Sequence, residues 1–498
     1  MSLQVLQEIP ARPAAGTAKG AAAGSAAGAR AAEPLCHVNP DWLNIESVVE
    51  NDLCTQCGAC AAMCPHKTIE LVRDEHYRYF PQVRDESLCV ERCKSLCVQV
   101  CAGVQEDPSL WEQNPIVAET YDEYCGSAIT DTWIGYSTDP QIRARGTSGG
   151  LITGLLVYLL ESGQIDGVLL VGANKQDPMH HDISIARTRE EIEDSWGSKY
   201  YPMPMGARFR ELVSATERFA VVLLGCHMRS LRLMERKLPR LEMSIVLRIG
   251  LICGYCAGFK AIADQARDWE IELEKNKRID YREGKWPGNV RIQTEDQDRR
   301  TLIYNFLTRI PFTTNYRCTI CSDLMNETAD VVVGDAWLKE LTDRKDEGWS
   351  VIAVRNPAVT PLIESAIRDG ALYLERADTE TFVRSQEKPM RYKKHALVTR
   401  LKFARRVMGR TLPNIDLSRF PDGFPTNFWN RLGNRLFMLT QWTFALNDPL
   451  RRAMYRFVPR KGVQWWVRSI FLMIAHDGKG SFLSKWLLKK EPMLNCDA

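Results

Sequence analysis

The sequence predicts an α+β module, then an α/β domain, then a basic and mainly helical C-terminal extension. Three observations carry this division. Eight cysteines fall between residues 54 and 101, short apolar runs alternate with helical stretches over 145–387, and the charge balance reverses near residue 388. With 498 residues, 45% hydrophobic and 26% charged, the chain has the composition of a globular protein of several units.

Residues 1–44 are rich in Ala and Gly, lack an apolar periodicity able to build a core, and are expected to form a flexible tail. They show no basic segment followed by an apolar one, so no secretory signal is expected. No later stretch is apolar enough to span a bilayer. Sixteen cysteines without such a signal point to a reducing compartment and to metal binding, and the expected location is cytoplasmic.

Residues 45–108 form the cysteine module. Cys54, Cys57, Cys60 and Cys64-Pro65 read C-x2-C-x2-C-x3-C-P. At this spacing three thiolates wrap one corner of an iron–sulfur cubane while the fourth reaches a second cluster. A less regular row follows in Cys89, Cys93, Cys97 and Cys101, with Ala102 where a proline would stand. One zinc needs four ligands rather than eight, and disulfide frameworks belong to small secreted domains. A ferredoxin-like 2x[4Fe-4S] module is therefore expected, with Cys101 completing the first cluster and Cys64 the second. A single cluster with spare thiols is the alternative. Residues 68–72 and 77–83 are expected as short hairpin strands covering the clusters.

Residues 109–144 read as a connector and 145–387 as the α/β domain. Apolar runs at 167–172, 219–225, 245–253, 329–335 and 350–354 are strand-like. Several end in Gly or Cys at what should be the carboxyl edge of a sheet, where α/β proteins bind ligands. The turn from Gly146 through Thr147, Ser148 and Gly149 to Gly150 precedes a helical run over 151–162. A glycine turn at a helix N-terminus suits phosphate, and a plain tight turn is the other reading. Five more cysteines, Cys226, Cys253, Cys256, Cys318 and Cys321, could together ligate a third cluster, although Cys226 alone also suits a buried structural role.

The ordered set of Gly146–Leu156 with Ile165-Asp-Gly167, Gly197-Ser-Lys-Tyr200, Gly250-Leu-Ile-Cys253, Cys318-x-x-Cys321-Ser-Asp and Ala329-Asp-Val-Val-Val-Gly-Asp-Ala-Trp337 resembles the coenzyme F420 hydrogenase/dehydrogenase beta-subunit family. The resemblance covers roughly residues 50–385, and the cysteine module is similar to that of members of the 7-hydroxymethyl chlorophyll a reductase type. It implies an α/β flavin-binding domain with non-covalent FAD and a nearby [4Fe-4S] cluster. Carried over, it implies Thr147, Ser148, Gly149 and Gly150 at the flavin phosphates, with Ser198 and Lys199 beside the flavin. Lys199 is then the catalytic candidate. It also implies Cys253, Cys318 and Cys321 as cluster ligands with Cys226, Cys256 being the competing fourth ligand. The family's Gly-x-Pro-Cys-Gln reads Leu-Gly-Cys-His-Met at 224–228 here, which leaves the loop shape open but keeps the thiol. His227 is a candidate ligand or proton donor, although a lone histidine in such a turn is more often structural.

The implied function is an iron–sulfur flavoprotein oxidoreductase that passes electrons between its clusters and FAD to reduce or oxidise a small molecule, F420-like or another organic substrate. A non-catalytic electron-transfer subunit is the alternative, and a redox partner such as a ferredoxin or a catalytic subunit is expected. Residues 388–498 carry 22 Lys/Arg against 6 Asp/Glu, and five tryptophans including Trp442, Trp465 and Trp486. They read either as helices packing on the core or as a docking element for an anionic partner or membrane surface. No nucleic-acid-binding module is recognisable.

Overall fold

The computed structural model describes residues 44–74, 78–89, 95–104, 129–174, 177, 180–344, 347–414, 426–445 and 447–476. The tail over 1–43, most of the connector, Cys93 and Trp486 lie outside these residues.

The module opens on helix Ile45–Glu50, whose N-cap Asn44 accepts from the Ser47 N–H at 3.1 Å. Helix α1 (Ala59–Met63) follows Gly58, which holds a left-handed φ of 80°. Strands β1 (Ile69–Arg73) and β2 (Tyr79–Val83) pair antiparallel, where hairpin strands were expected. The module docks closely on the next domain. Gly206 donates its N–H to the Cys57 carbonyl at 2.6 Å, and a Cβ on Gly206 would meet the Ala59 nitrogen at 2.6 Å. Glycine at 206 thus lets two backbones touch.

The α/β domain is built on an eight-stranded sheet. Its centre is parallel: β4 (Gly167–Ala173), β6 (Phe219–Leu224), β7 (Ile245–Leu251) and β11 (Val331–Asp335). Antiparallel strands flank it, namely β5 (His181–Ala186) on one side and β12 (Ser350–Val354), β3 (Asp131–Ser137) and β13 (Leu372–Ala377) on the other. The order across the sheet is β13-β3-β12-β11-β7-β6-β4-β5. Strand β3 comes from the stretch read as a connector. Its Asp131-Thr-Trp-Ile-Gly-Tyr-Ser alternates weakly because the sheet covers it on both sides. Helix α2 (Leu151–Glu161) packs on β3, with Gly154 lying where a Cβ would meet Ser137 Oγ at 2.5 Å. Helix α3 (Gly225–Glu235) leaves the end of β6 directly.

A second sheet was not anticipated: β8 (Asn276–Glu283), β9 (Asn289–Thr294) and β10 (Asp298–Leu302), all antiparallel. Its charged residues mask the period-two pattern, although Pro287-Gly288 marks its turn.

The extension folds back on the rest. Leu397, Leu401, Ala404 and Met438 share one core with Ile45, Val48, Leu53 and Val104 of the module. Helices α4 (Phe428–Phe444) and α5 (Arg460–Ile474) cross where a Cβ on Gly433 would meet Met473 Cβ at 2.7 Å. Several of the extension's cations are buried and paired: Arg451 with Asp264 at 2.9 Å, Lys394 with Glu327, and Arg400 with the Thr319 carbonyl at 2.6 Å.

Candidate redox site

In the module, Cys54, Cys57, Cys60 and Cys101 come together. Burial, followed by repulsion from Cys57, pushes the Cys101 thiol up to about 12, and Cys60 rises through burial and the charges of Cys57, Cys54 and Cys101. Cys54 likewise rises through burial and the charges of Cys101 and Cys57, with a backbone bond and Arg78 opposing, and iron would supply this group with positive charge. The Gln56 N–H donates to Cys54 Sγ at 3.3 Å from a backbone at φ 62°, the kind of amide-to-sulfur contact that tunes such clusters. Cys64 turns away from this group. Although burial opposes it, bonds from the Thr68 side chain and from the backbone of Thr68, His66 and Ile69 lower its pKa. Cys97 is buried nearby and Cys89 is half-buried. Among the described residues no three Cys, His, Asp or Glu side chains close on a single metal ion. The donor set, all sulfur, grouped and met by backbone N–H, fits iron–sulfur clusters.

A second sulfur group stands at the carboxyl edge of the sheet. Cys226 follows β6 in the first turn of α3, and Cys253 follows β7. Cys318 lies in the short helix Tyr316–Thr319, and Cys321 in the loop between it and β11. Burial raises Cys226, and the charges of Cys57, Cys318, Cys253 and Cys321 raise it further. Burial also raises Cys256, where Cys318 and Cys253 act. The cations here are buried: Lys393 is 2% exposed, and Arg229 and Arg317 are 1% exposed each. Against burial, these three charges bring the Cys321 thiol below its ordinary value. Lys393 was hidden in a basic run and Arg317 beside Cys318. Neither carried a spacing signal.

Two contacts join the sulfur groups. Ser230 stands one helical turn after Cys226; its Oγ lies 3.6 Å from Cys57 Sγ and accepts from the Ala102 N–H at 3.2 Å. Arg317 donates to the carbonyls of Gly103 at 2.8 Å and Ala102 at 3.3 Å.

Around the glycine turn the structure separates the expected residues. The Gly149 N–H donates to the Glu347 carbonyl at 3.2 Å, and its own carbonyl accepts from Ser137 N–H at 2.8 Å. A Cβ on Gly149 would meet Tyr136 Cβ at 2.8 Å, and one on Gly150 would meet the Ile142 carbonyl at 2.5 Å. Ser148 Oγ donates to the Trp349 carbonyl at 2.5 Å. The Ser148 hydroxyl and the Gly149 N–H and carbonyl thus bond within the protein, and the space beside Gly149 and Gly150 is filled by Tyr136 and Ile142. Thr147 and Ser198 remain half-buried at the edge, with Ser198 N–H donating to Thr147 Oγ1 at 3.0 Å. Beside them Arg145 covers the Trp196 ring at 4.0 Å, with Arg278 at 5.9 Å. Lys199 keeps some exposed surface, but its Nζ donates to three carbonyls, of Ser195, Trp196 and Gly197. Burial lowers its pKa to about 7, with Asp280 opposing. Arg282, missed by the sequence, pairs with Asp335 at 2.9 Å and donates to the Thr147 carbonyl at 3.3 Å; Trp286 Nε1 also donates to Asp335, at 2.9 Å. Hydroxyls, two exposed arginines and indole rings are groups that could hold a polar aromatic cofactor.

Fold and donor set together define an iron–sulfur protein whose α/β sheet carries a second sulfur group at its carboxyl edge. The sequence matches coenzyme F420 hydrogenase/dehydrogenase, beta subunit, over 132–208 for the N-terminal part and 216–380 for the C-terminal part, and a 4Fe-4S binding domain over 47–70. The chain belongs to the coenzyme F420 hydrogenase/dehydrogenase beta-subunit family. It is 25% identical over 333 residues to the coenzyme F420-dependent sulfite reductase of Methanocaldococcus jannaschii, covering 63% of this chain and 46% of that protein. It is 23% identical over 314 residues to a subunit of the F(420)H(2) dehydrogenase of Methanosarcina mazei, covering 62% and 81%. It is 26% identical over 266 residues to the beta subunit of the coenzyme F420 hydrogenase of Methanosarcina barkeri, covering 50% and 82%. The chain thus spans about half the length of the first of these relatives and about four-fifths of the others. A chain of the F420-reducing [NiFe] hydrogenase complex from Methanosarcina barkeri aligns with a TM-score of 0.45 at 20% identity, over 58% of this chain and 96% of that one.

Proposed function

We propose that the chain is an iron–sulfur flavoprotein oxidoreductase that carries electrons between [4Fe-4S] clusters and FAD to convert a small organic molecule. One observation supports this most: Ser230 and Cys226, one turn apart on α3, face the sulfurs of both groups. Cys54, Cys57, Cys60 and Cys101 would hold one cluster, Cys64, Cys89, Cys93 and Cys97 a second, and Cys253, Cys318 and Cys321 with Cys226 a third. Cys226 is favoured over Cys256 because it responds to three cysteines of the sheet-edge group rather than two. FAD would supply the step between one-electron carriers and a two-electron substrate. Arg145 and Arg278 would hold its phosphates, and Thr147 and Ser198 would orient it. Lys199, at its neutral-range pKa, would keep a proton at Nζ available beside it.

The module's sulfurs respond mainly to burial and to one another, whereas those at the sheet edge face Lys393, Arg229 and Arg317. Positive charge favours the reduced state, so electrons would run from the module to the sheet edge. Lys393→Met should lower the midpoint potential of the sheet-edge cluster in an EPR titration, and an unchanged potential would reject this direction. A second reading is a relay subunit serving a separate catalytic partner, since two relatives are named as subunits. Anaerobic purification separates the readings: about twelve irons and bound flavin that a one-electron donor reduces support the enzyme. Iron without flavin supports the relay, and zinc without iron ends both.

A further inference from the structure

We propose that the three C-terminal helices form a face that docks on an anionic lipid bilayer. These helices are α4, Asp448–Phe457 and α5. Apolar groups that helices normally hide are turned outward here: Phe428 is 61% exposed, Trp442 44%, Leu450 42%, Phe457 77%, Trp465 53% and Trp466 38%. They do not stand in sequence at random. Phe428, Arg431, Arg435 and Trp442 follow one another at intervals that keep them on one exposed side of α4, and Lys461 and Trp465 do the same on α5, with Arg468 half-buried one turn on.

Charge names the occupant. Residues 426–476 contain eight Lys/Arg and a single acid, Asp448. That acid is held by Lys260 at 2.8 Å and Arg451 at 2.7 Å and reaches one outer arginine, Arg452, only at 3.9 Å, so most of the outer charge stays unneutralised. Exposed aromatic side chains and cations share these helices, with Phe428 beside Trp429 at 5.3 Å between ring centroids. Indole and phenyl rings at headgroup depth, with guanidinium groups on lipid phosphates, satisfy both kinds of side chain at once. Among the described residues no helix is long and apolar enough to cross a membrane, so the contact is superficial. The arginines paired inside the fold, Arg400 and Arg451, take no part.

The test is co-sedimentation of the full-length protein with vesicles of phosphatidylglycerol and phosphatidylcholine, and with phosphatidylcholine alone. The expected result is binding to the anionic vesicles at low salt with a blue shift of tryptophan emission. That binding should weaken at least about tenfold on neutral vesicles or when added salt shortens the screening length. Two variants read the two components: R452Q/R456Q/K461Q for charge and F457A/W465A for the apolar contact, all at exposed positions. Each should lose about tenfold in partition while circular dichroism and the visible absorption of the holoprotein stay unchanged. No partition into anionic vesicles overturns the proposal. So does equal binding to neutral vesicles, or binding that neither variant changes. Salt-sensitive binding to an acidic protein in the absence of vesicle binding assigns the face to a protein instead and likewise overturns it.

Discussion

Replacing Arg317 with methionine tests whether the two sulfur groups are held in register by a specific contact. The side chain is 1% exposed and reaches from the short Cys318 helix to the Gly103 carbonyl at 2.8 Å and the Ala102 carbonyl at 3.3 Å. Its third acceptor, the Ile320 carbonyl at 3.5 Å, is at the limit of a real bond. Two bonds from a charged donor are worth about 3–6 kcal/mol in all, at about 1.5–3 each. Methionine, however, no longer carries the cost of burying a guanidinium, which is several kcal/mol. The net loss should be about 2 kcal/mol, confined to the junction, which is roughly a thirtyfold rise in local opening. Hydrogen exchange of the holoprotein reads this directly. Amides over 96–104 and 318–321 should exchange about thirtyfold faster, while β6, in the centre of the sheet, serves as the unchanged reference. Arg317→Lys keeps the charge but not the planar fork, and should recover only part of the protection. Equal exchange over 96–104 in the original protein and the methionine variant would show that the contact does not hold the junction, and the proposed path would lose its support.

Two further outcomes follow from the same geometry. Cys318→Ser or Cys321→Ser should remove about four irons and leave the module's clusters in place, and comparison of Cys226→Ser with Cys256→Ser should identify the fourth ligand. An unchanged iron count in all four would leave the sheet edge without a cluster. His181 is lowered to about 3 from 6.5, first by burial and then by the positive charges of Lys199 and His180. The Tyr201 hydroxyl accepts from the His181 backbone N–H and lies 2.8 Å from Nδ1, where a neutral ring could accept its proton. Below pH 6.5 the unfolded chain takes up a proton that the folded chain refuses, so stability should fall as pH drops toward about 3. His181→Gln should flatten that fall in urea midpoints compared between about pH 7 and about pH 5, and parallel slopes would reject the assignment.

The parts of this chain that were legible in the sequence are those whose chemistry requires a fixed spacing. Cys54, Cys57, Cys60 and Cys64 announce themselves because three ligands wrapping one corner of a cubane, with a fourth turning to a second, leave a recurring short spacing, whereas Cys226, Cys253 and the pair Cys318 and Cys321 are dispersed and leave no such run. The central strands showed because they are buried on both faces and read as unbroken apolar runs. Sheet β8–β10 did not show, because Arg278, Arg282, Arg291 and Arg300 interrupt its alternation while serving ion pairs within a strand, between β9 and β10, or with Asp335 of the larger sheet. The glycine turn was legible as a turn at a helix start, but a Gly-Gly pair there serves phosphate binding and close backbone packing alike, and the packing of Gly149 and Gly150 on Tyr136 and Ile142 could not be read from the chain. Ser230 could not be inferred at all, since its role depends on a neighbour 173 residues away.

Charge in the extension shows the same limit from another direction. Composition treats its 22 basic residues as one property, which suggests a single solvated or docking surface. The fold divides them. Lys393 faces the sheet-edge sulfurs, and Lys394, Arg400 and Arg451 bond acids and carbonyls inside the protein. Arg431, Arg435, Arg452 and Arg456 remain outside. A buried cation without a partner would be too costly to keep, so each inner one implies a specific acceptor, whether a carboxylate, a carbonyl or the sulfur group itself. The outer ones carry no such requirement. Truncating the chain near residue 387 would therefore remove both sets together, uncovering Glu327 and Asp264 as well as the Ile45–Val104 core of the module. Only point changes confined to outer side chains, charged or aromatic, can report on docking without also disturbing the redox site.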